Sequence, residues 1–415
     1  MRDRSRASVA DRVVVTGLGA VSRLGVGIQE TWHGLLRADA RPTPAPETGD
    51  PGWRPAVYQV AEVPGPATGR DGRRLGRASR LAVHVAGQAL ADARMPAGAV
   101  PAAGVAVGTS LGDVDRWEAG EPGAGETDGA VPPYQLTAAV AGRYGMSGPT
   151  LTTSTACSAS GYAVSWAADA IRFGLAEVMV VVGVEVHSRV ALAALHRLGV
   201  LDPQRCRPFE RDRAGMVTGE GAAALVLESG AHLARRNGAV GVGGADYAGH
   251  AGHAGYAEIE GHGWSCDGHH PTAPEPGGAQ LVRALRAALD SAGVGPAELG
   301  AVLPHRAGIA VNDTVEDAAL AAVLGDRATA TPVLAVKAVL GHTAGAAGAF
   351  GCLTAALAVR HGVLPPNSPV ADPDPDCALW VPQGSPARLA SPHVLVSTTG
   401  FGGNNAALVI GRSAA

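Results

Sequence analysis

The stretch Leu151-Thr-Thr-Ser-Thr-Ala-Cys157-Ser-Ala-Ser-Gly161 changes its periodicity half-way along. Thr152–Thr155 is hydroxylated and largely β-branched, the composition of a strand. From Ser158 onward Tyr162, Trp166 and Ala170 fall on one helical stripe, and Gly174 supplies a stop signal. Cys157 therefore sits where a strand turns into a helix. Unpaired amides and the positive end of the helix dipole at such a place lower a thiol's pKa and favour the thiolate. A small cysteine buried in the core is the bland reading of the same residue.

Working outward, short Val-rich runs alternate with longer Ala/Leu segments, the pattern of an α/β chain. Strands are predicted at Arg12–Thr16, Gly104–Val107, Leu151–Ser154, Val178–Gly183, Ala223–Leu227, Val240–Tyr247, Ala301–Leu303 and His393–Ser397. Helices are predicted at Gln29–Leu36, Arg77–Ala93, Ala159–Phe173, Gly278–Ala292, Asp313–Leu324 and Ala346–His361. Ala45–Ala67 and His250–Gly278 read as surface loops rich in Pro, Gly or His. The second divides the chain into halves, 1–248 and 249–415, whose similar make-up points to an internal duplication without a fixed repeat period.

The 415 residues carry 58 Gly and 29 Pro, 46% hydrophobic residues and only 4% aromatics. A core of that composition must rest on close contacts between small side chains. Net charge is −4, with no basic run beyond Arg70–Arg80, which argues against nucleic-acid or membrane-surface partners. The five cysteines are scattered and without a CxxC pair, as free thiols in a reducing cytoplasm are. No apolar leader is seen at the start, and the longest apolar runs are too short to span a bilayer. The histidines of the 250–278 loop (His250, His253, His262, His269, His270) are irregularly spaced, so no metal site is expected.

Lys337 is the one lysine in the chain; every other basic side chain is Arg. A lysine kept against such a bias marks a place where a compact ammonium does what a planar guanidinium cannot. Five positions on, His342 opens a Gly/Ala-rich helical segment. His305 follows a strand and lies in Pro304-His-Arg-Ala-Gly-Ile-Ala-Val-Asn312, a loop leading into a helix. Thr399-Gly-Phe401-Gly-Gly-Asn-Asn405 has the flexibility to bring amides against a developing oxyanion. Taken singly, each histidine is equally a structural residue and the glycine loop equally a tight turn.

In this order the parts resemble a β-ketoacyl synthase of the thiolase superfamily, like the fatty-acid elongating enzymes and type II polyketide ketosynthases. The resemblance runs from Val13-Val-Val-Thr-Gly-Leu-Gly19 to Ile410. It takes in Arg207-Pro-Phe209-Glu-Arg-Asp-Arg213-Ala-Gly215, Gly219-Glu-Gly221, Lys337-Ala-Val-Leu-Gly-His342 and Gly400-Phe-Gly-Gly. It implies a five-layered αβαβα fold of two related halves, the first carrying the nucleophile and the second the histidines and lysine.

By the same resemblance Cys157 takes the acyl chain, and His305 and His342 promote malonyl decarboxylation. Lys337 supports them, Glu316 pairs with Lys337, and Phe401 gates an oxyanion hole. Asp267, His270, Thr272 and Pro274 line a mobile loop at the carrier entrance, with Gly400 and Gly402 in the gating loop. No cofactor is implied, since substrates ride on the phosphopantetheine of an acyl carrier protein. A homodimer, or a heterodimer with a chain-length-factor-like subunit, is expected. The family's His-Gly-Thr-Gly-Thr loop is here His305-Arg-Ala307-Gly-Ile309, and Thr399 stands where many relatives carry Phe. Two rival functions remain: transfer to a non-malonyl acceptor, and a non-catalytic chain-length-factor-like partner, a class that usually lacks the cysteine.

Overall fold

The computed structural model describes residues 12–45, 52–120, 132–239 and 255–412. Its first half contributes the strands β1 (Val13–Ser22), β2 (Gly104–Gly108), β3 (Thr150–Thr153), β4 (Val178–Glu185) and β5 (Gly221–Ser229). The second contributes β6 (Ala257–Cys266), β7 (Leu299–Leu303), β8 (His393–Gly400) and β9 (Asn404–Gly411). The first set runs β3-β2-β4-β5-β1, with β2 parallel to β3 and β4, and β5 antiparallel to both β4 and β1. The second runs β7-β8-β9-β6 with the same senses, and Val333 pairs in parallel on the outer side of β7 where β3 stands in the first set. The strand order is thus repeated. The two sets join where Val14 and Val15 of β1 meet Glu258 and Ala257 of β6.

Five helices complete the layers: α1 (Arg77–Asp92), α2 (Ala159–Arg172), α3 (Ala279–Ala292), α4 (Ala310–Leu324) and α5 (Ala347–His361). α1 covers the outer face of the first sheet and α3 that of the second, while α2 and α5 lie between them. This is the five-layered αβαβα arrangement. α5 is buried from Ala347 to Val359, as a helix apolar on every face must be. Small residues let the layers close: a side chain on Gly348 would run into the backbone of Gly161, and one on Gly183 would meet Ala349 and Ser160.

The long predicted helices and the Val-rich strands stand where the periodicity put them, to within a few residues. The His250–Gly278 loop is corrected, because Ala257–Cys266 is the innermost strand of the second set. Its buried Ala257 and Ile259 alternate with Glu258 and Glu260, but Gly261 and Gly263 follow, kept bare by the close approach of Ala284, Ala288 and Ala292 of α3, so the apolar alternation stops half-way along the strand. Ala56–Tyr58, read within the first loop, is a short strand with Tyr58 buried. The strand predicted at Val240–Tyr247, the division at 248/249, His250 and His253 lie outside the described residues.

Candidate active site

Cys157 occupies a single 3₁₀ turn, Ala156–Ser158, between β3 and α2. Ala156 takes a left-handed φ of 50°, and this strained step makes the sharp elbow that lifts Cys157 to the helix N-terminus. The backbone N–H groups of Cys157 itself and of Phe401 are directed at the thiol. Gly400 leaves them clear: a Cβ there would lie 3.1 Å from Cys157 N and 3.2 Å from Ser158 N.

The expectation of a lowered thiol pKa is corrected. Burial pushes the Cys157 thiol up to about 11, against the opposing pull of the Lys337 ammonium and the two amides, with Glu185 adding to the rise. Desolvation of the thiolate outweighs the helix end. At neutral pH Cys157 is a thiol.

His305 and His342 meet edge to face, their ring centroids 5.2 Å apart and their planes at 86°. Burial, then the Lys337 charge, hold both imidazoles well below the ordinary histidine range, and His342 depresses His305 further. Both rings are neutral at pH 7. Thr399 N donates to His305 Nδ1 at 3.2 Å, so the neutral ring keeps its proton on Nε2. His342 is fixed through its backbone, donating to Val217 O at 2.7 Å and accepting from Gly219 N at 2.9 Å. Its buried Nδ1 has no hydrogen-bond partner among the described residues.

Lys337 is buried and donates to the His305 carbonyl oxygen. Burial lowers its pKa, while the Glu316 charge pulls it back up. The predicted Lys337–Glu316 pairing is corrected, since no ion pair joins them. Glu316 instead accepts from His305 N at 2.7 Å, from Arg306 N at 2.8 Å and from Ser397 Oγ at 2.7 Å. It fixes the loop on which the histidine rides and acts on the lysine only through space.

The 399–405 and 267–275 loops are tied together. Asp267 donates its N–H to Gly403 O at 2.9 Å and accepts from Asn405 Nδ2 at 2.7 Å and Glu275 N at 3.1 Å. Gly402 N donates to Pro271 O at 2.7 Å. One cavity is lined by Asp267, Thr272, His305, Glu316, Gly400 and Phe401. His270 stands apart on the surface, its Nδ1 accepting from the N–H groups of Thr272 and Ala273 at 3.1 Å each. His262 is held by Asp169 at 2.9 Å, and among the described residues no three His, Cys, Asp or Glu side chains converge on a metal-sized space. All five cysteines are free thiols.

Residues 10–232 match the N-terminal domain family of β-ketoacyl synthases and residues 256–371 the C-terminal one. The chain belongs to the β-ketoacyl synthase family. This synthase is 32% identical over 438 residues to the tetracenomycin polyketide synthase ketoacyl synthase alpha subunit of Streptomyces glaucescens, covering 97% of each chain. It is 29% identical over 425 residues to 3-oxoacyl-[acyl-carrier-protein] synthase 2 of Staphylococcus aureus, covering 96% of this chain and 97% of the relative. Among solved structures it resembles the ishigamide ketosynthase/chain length factor at a TM-score of 0.84 and 33% identity, with 97% and 99% of the two chains covered. The synthase is an acyltransferase-class enzyme of thiolase fold.

Three groups at the site escaped the sequence reading. Glu185, buried at the end of β4, accepts from the N–H groups of Ser110 at 2.7 Å, Leu111 at 3.1 Å and Gly345 at 2.9 Å, binding the His342 segment to the first half. Its one signal was a carboxylate closing an otherwise apolar run. Ser397 and the amide of Thr399 act through contacts that no local pattern announces.

Proposed function

We propose that this synthase joins an acyl group held on Cys157 to a malonyl group delivered on the phosphopantetheine arm of an acyl carrier protein. The observation that carries the reading is the pair of neutral imidazoles beside a thiol served by two backbone amides. Plain acyl transfer needs the thiol and the amides; the second, neutral pair of donors suits decarboxylation.

The chemistry divides into two half-reactions. Cys157 Sγ attacks the acyl thioester, the Cys157 and Phe401 amides hold the oxyanion, and the thiol proton leaves with the pantetheine sulfur. The malonyl thioester then binds and its carboxylate departs as CO2. The bond electrons move to the thioester oxygen, where the His305 Nε2 proton and the neutral His342 ring face charge that exists only late in the step. The enolate carbon attacks the acyl-Cys157 carbonyl, the thiolate leaves, and one proton taken from solvent restores the thiol.

No bound cofactor enters this scheme. The kinship with polyketide ketosynthases and the changed His305-Arg-Ala307-Gly-Ile309 loop support a specialised, polyketide-type pathway in place of housekeeping lipid synthesis. We assign the two halves to 1–248 and 249–415, and take the working unit to be a dimer, either of this chain or with a chain-length-factor-like subunit, in the cytoplasm. Among the described residues no helix is long and apolar enough to cross a membrane.

The test is intact-protein mass after exposure to a panel of acyl carrier thioesters and then to malonyl carrier, with Cys157→Ala and His305→Ala alongside. An adduct absent from Cys157→Ala and discharged to a β-ketoacyl product is expected. An adduct released only to another acceptor would replace condensation by transfer. Failure of every donor would leave the partner-subunit reading.

A further inference from the structure

Arg306 follows His305 at the position where the family loop has glycine, and among the described residues it is the largest fully buried side chain, 1% exposed. Its φ of 28° lies in the left-handed region that glycine occupies freely and arginine does not. Both terminal nitrogens of the side chain are held, while its buried Nε has no hydrogen-bond partner among the described residues. Nη1 donates to Asp317 Oδ2 at 2.9 Å and to Asp313 O at 3.1 Å. Nη2 lies 2.8 Å from Cys377 Sγ and 2.8 Å from Asp317 Oδ1, and the guanidinium carbon sits 4.6 Å over the Phe209 ring.

The same helix, α4, grips the backbone of the loop. Glu316 takes the amides of His305 and Arg306, and Asp313 Oδ1 takes that of Ala307 at 3.2 Å. The loop is thus pinned by acidic side chains one turn apart, and the Arg306 fork reaches back to the same helix at Asp317 and the Asp313 carbonyl.

We propose that Arg306 is a positioning residue for His305, its buried fork to Asp317 fixing the loop so that His305 Nδ1 stays on the Thr399 amide and Nε2 presents its proton to the enolate. Arg306 acts through the geometry of the loop; the groups that shift the His305 ring are Lys337 and His342. The inference rests on the condensing reading for its consequence in turnover. It predicts that Arg306 matters to the half-reaction that uses His305 and not to the one that loads Cys157.

Three variants test it. Arg306→Gly removes the fork while allowing the backbone angle, so its effect is that of the anchor alone. Arg306→Lys keeps a charge without the planar fork, and Asp317→Asn keeps the fork without its ion pair. Cys157 acylation is followed by intact mass, and decarboxylation by CO2 release from malonyl carrier on the pre-acylated protein. Side-chain ¹⁵N resonances of the histidines, assigned through His305→Gln, report the His305 tautomer.

Expected are decarboxylation at least tenfold slower in Arg306→Gly, acylation within twofold of the parent, and an intermediate rate in Arg306→Lys. A mixed His305 tautomer should accompany the loss. Unchanged decarboxylation in Arg306→Gly, or both half-reactions falling by the same factor, overturns the proposal. Should the parent protein accept no acyl donor or release no CO2, the condensing reading fails. The ¹⁵N spectra of Arg306→Lys and Asp317→Asn still decide the positioning: a single Nε2–H tautomer in both rejects it.

Discussion

The backbone N–H of Thr399 donates to Nδ1 of His305 at 3.2 Å, and this one contact places the proton of the neutral imidazole on Nε2. The donor is a main-chain group, so its delivery does not depend on whether position 399 is Thr or the Phe common among relatives. With Lys337 on the His305 carbonyl and Glu316 on its amide, the residue is held at ring, carbonyl and nitrogen.

Under the proposed condensation, a donor so placed would face the enolate. His305→Ala is expected to lower CO2 release from malonyl carrier by about 10²–10³-fold, the loss seen when one oxyanion donor is removed, while Cys157 still takes up its acyl group. Equal loss in both steps would move His305 out of the decarboxylation.

Burial holds the Cys157 thiol near 11. Its alkylation by iodoacetamide should therefore quicken about tenfold for each pH unit between 7 and 9, following the thiolate fraction. Lys337→Met removes a charge that favours the thiolate and should slow alkylation at every pH. A plateau reached below pH 9 would show the helix end and amides prevailing over desolvation.

Asp313 is buried, and burial pushes its carboxyl up to about 7 despite the Arg306 and Arg213 charges. The folded protein thus holds a proton that the unfolded chain releases near pH 4. Stability from this group is complete at low pH and is lost as pH rises through 7. Relative to Asp313→Asn, the parent should lose about 1.4 kcal/mol per pH unit between pH 5 and 7, measured by denaturant unfolding at fixed pH values. Parallel curves would mean that Asp313 is ionised in the fold.

A methyl group at position 348 has no room, since it meets the backbone of Gly161 across the α2–α5 contact. Gly348→Ala should cost about 1–3 kcal/mol through overpacking, read as a lower Tm. The same change at Gly362, at the C-terminal end of α5, meets nothing within 4 Å, although its φ of 70° strains a side chain there. A Gly348→Ala protein as stable as the parent would show the layers able to part.

Much of this was legible in the chain because the chemistry sits at abrupt changes of pattern. Cys157 marks a strand becoming a helix, and Lys337 is the single exception to an arginine rule. The elements that stayed hidden did so for one reason: close packing had erased their signal. In β6 the apolar alternation of Ala257 and Ile259 gives way to Gly261 and Gly263, which lie against α3. The thiol's pKa was misjudged because local sequence shows the helix end and not the atoms that crowd it. Glu316 was placed at the site and given the wrong partner, since its contacts run to main-chain amides brought together only by the loop.

The repeated strand order has a consequence for where the groups of the site stand. Cys157 follows β3, and Lys337 and His342 follow the Pro332–Leu334 segment that stands in β3's place in the second set. His305 follows β7 as Ser110 follows β2, and Phe401 follows β8 as Glu185 ends β4. Equivalent stations in the two strand sets carry different groups: the first presents the thiol, the second the two imidazoles and the ammonium. Neither set holds the whole constellation by itself, because its groups meet at the seam between them.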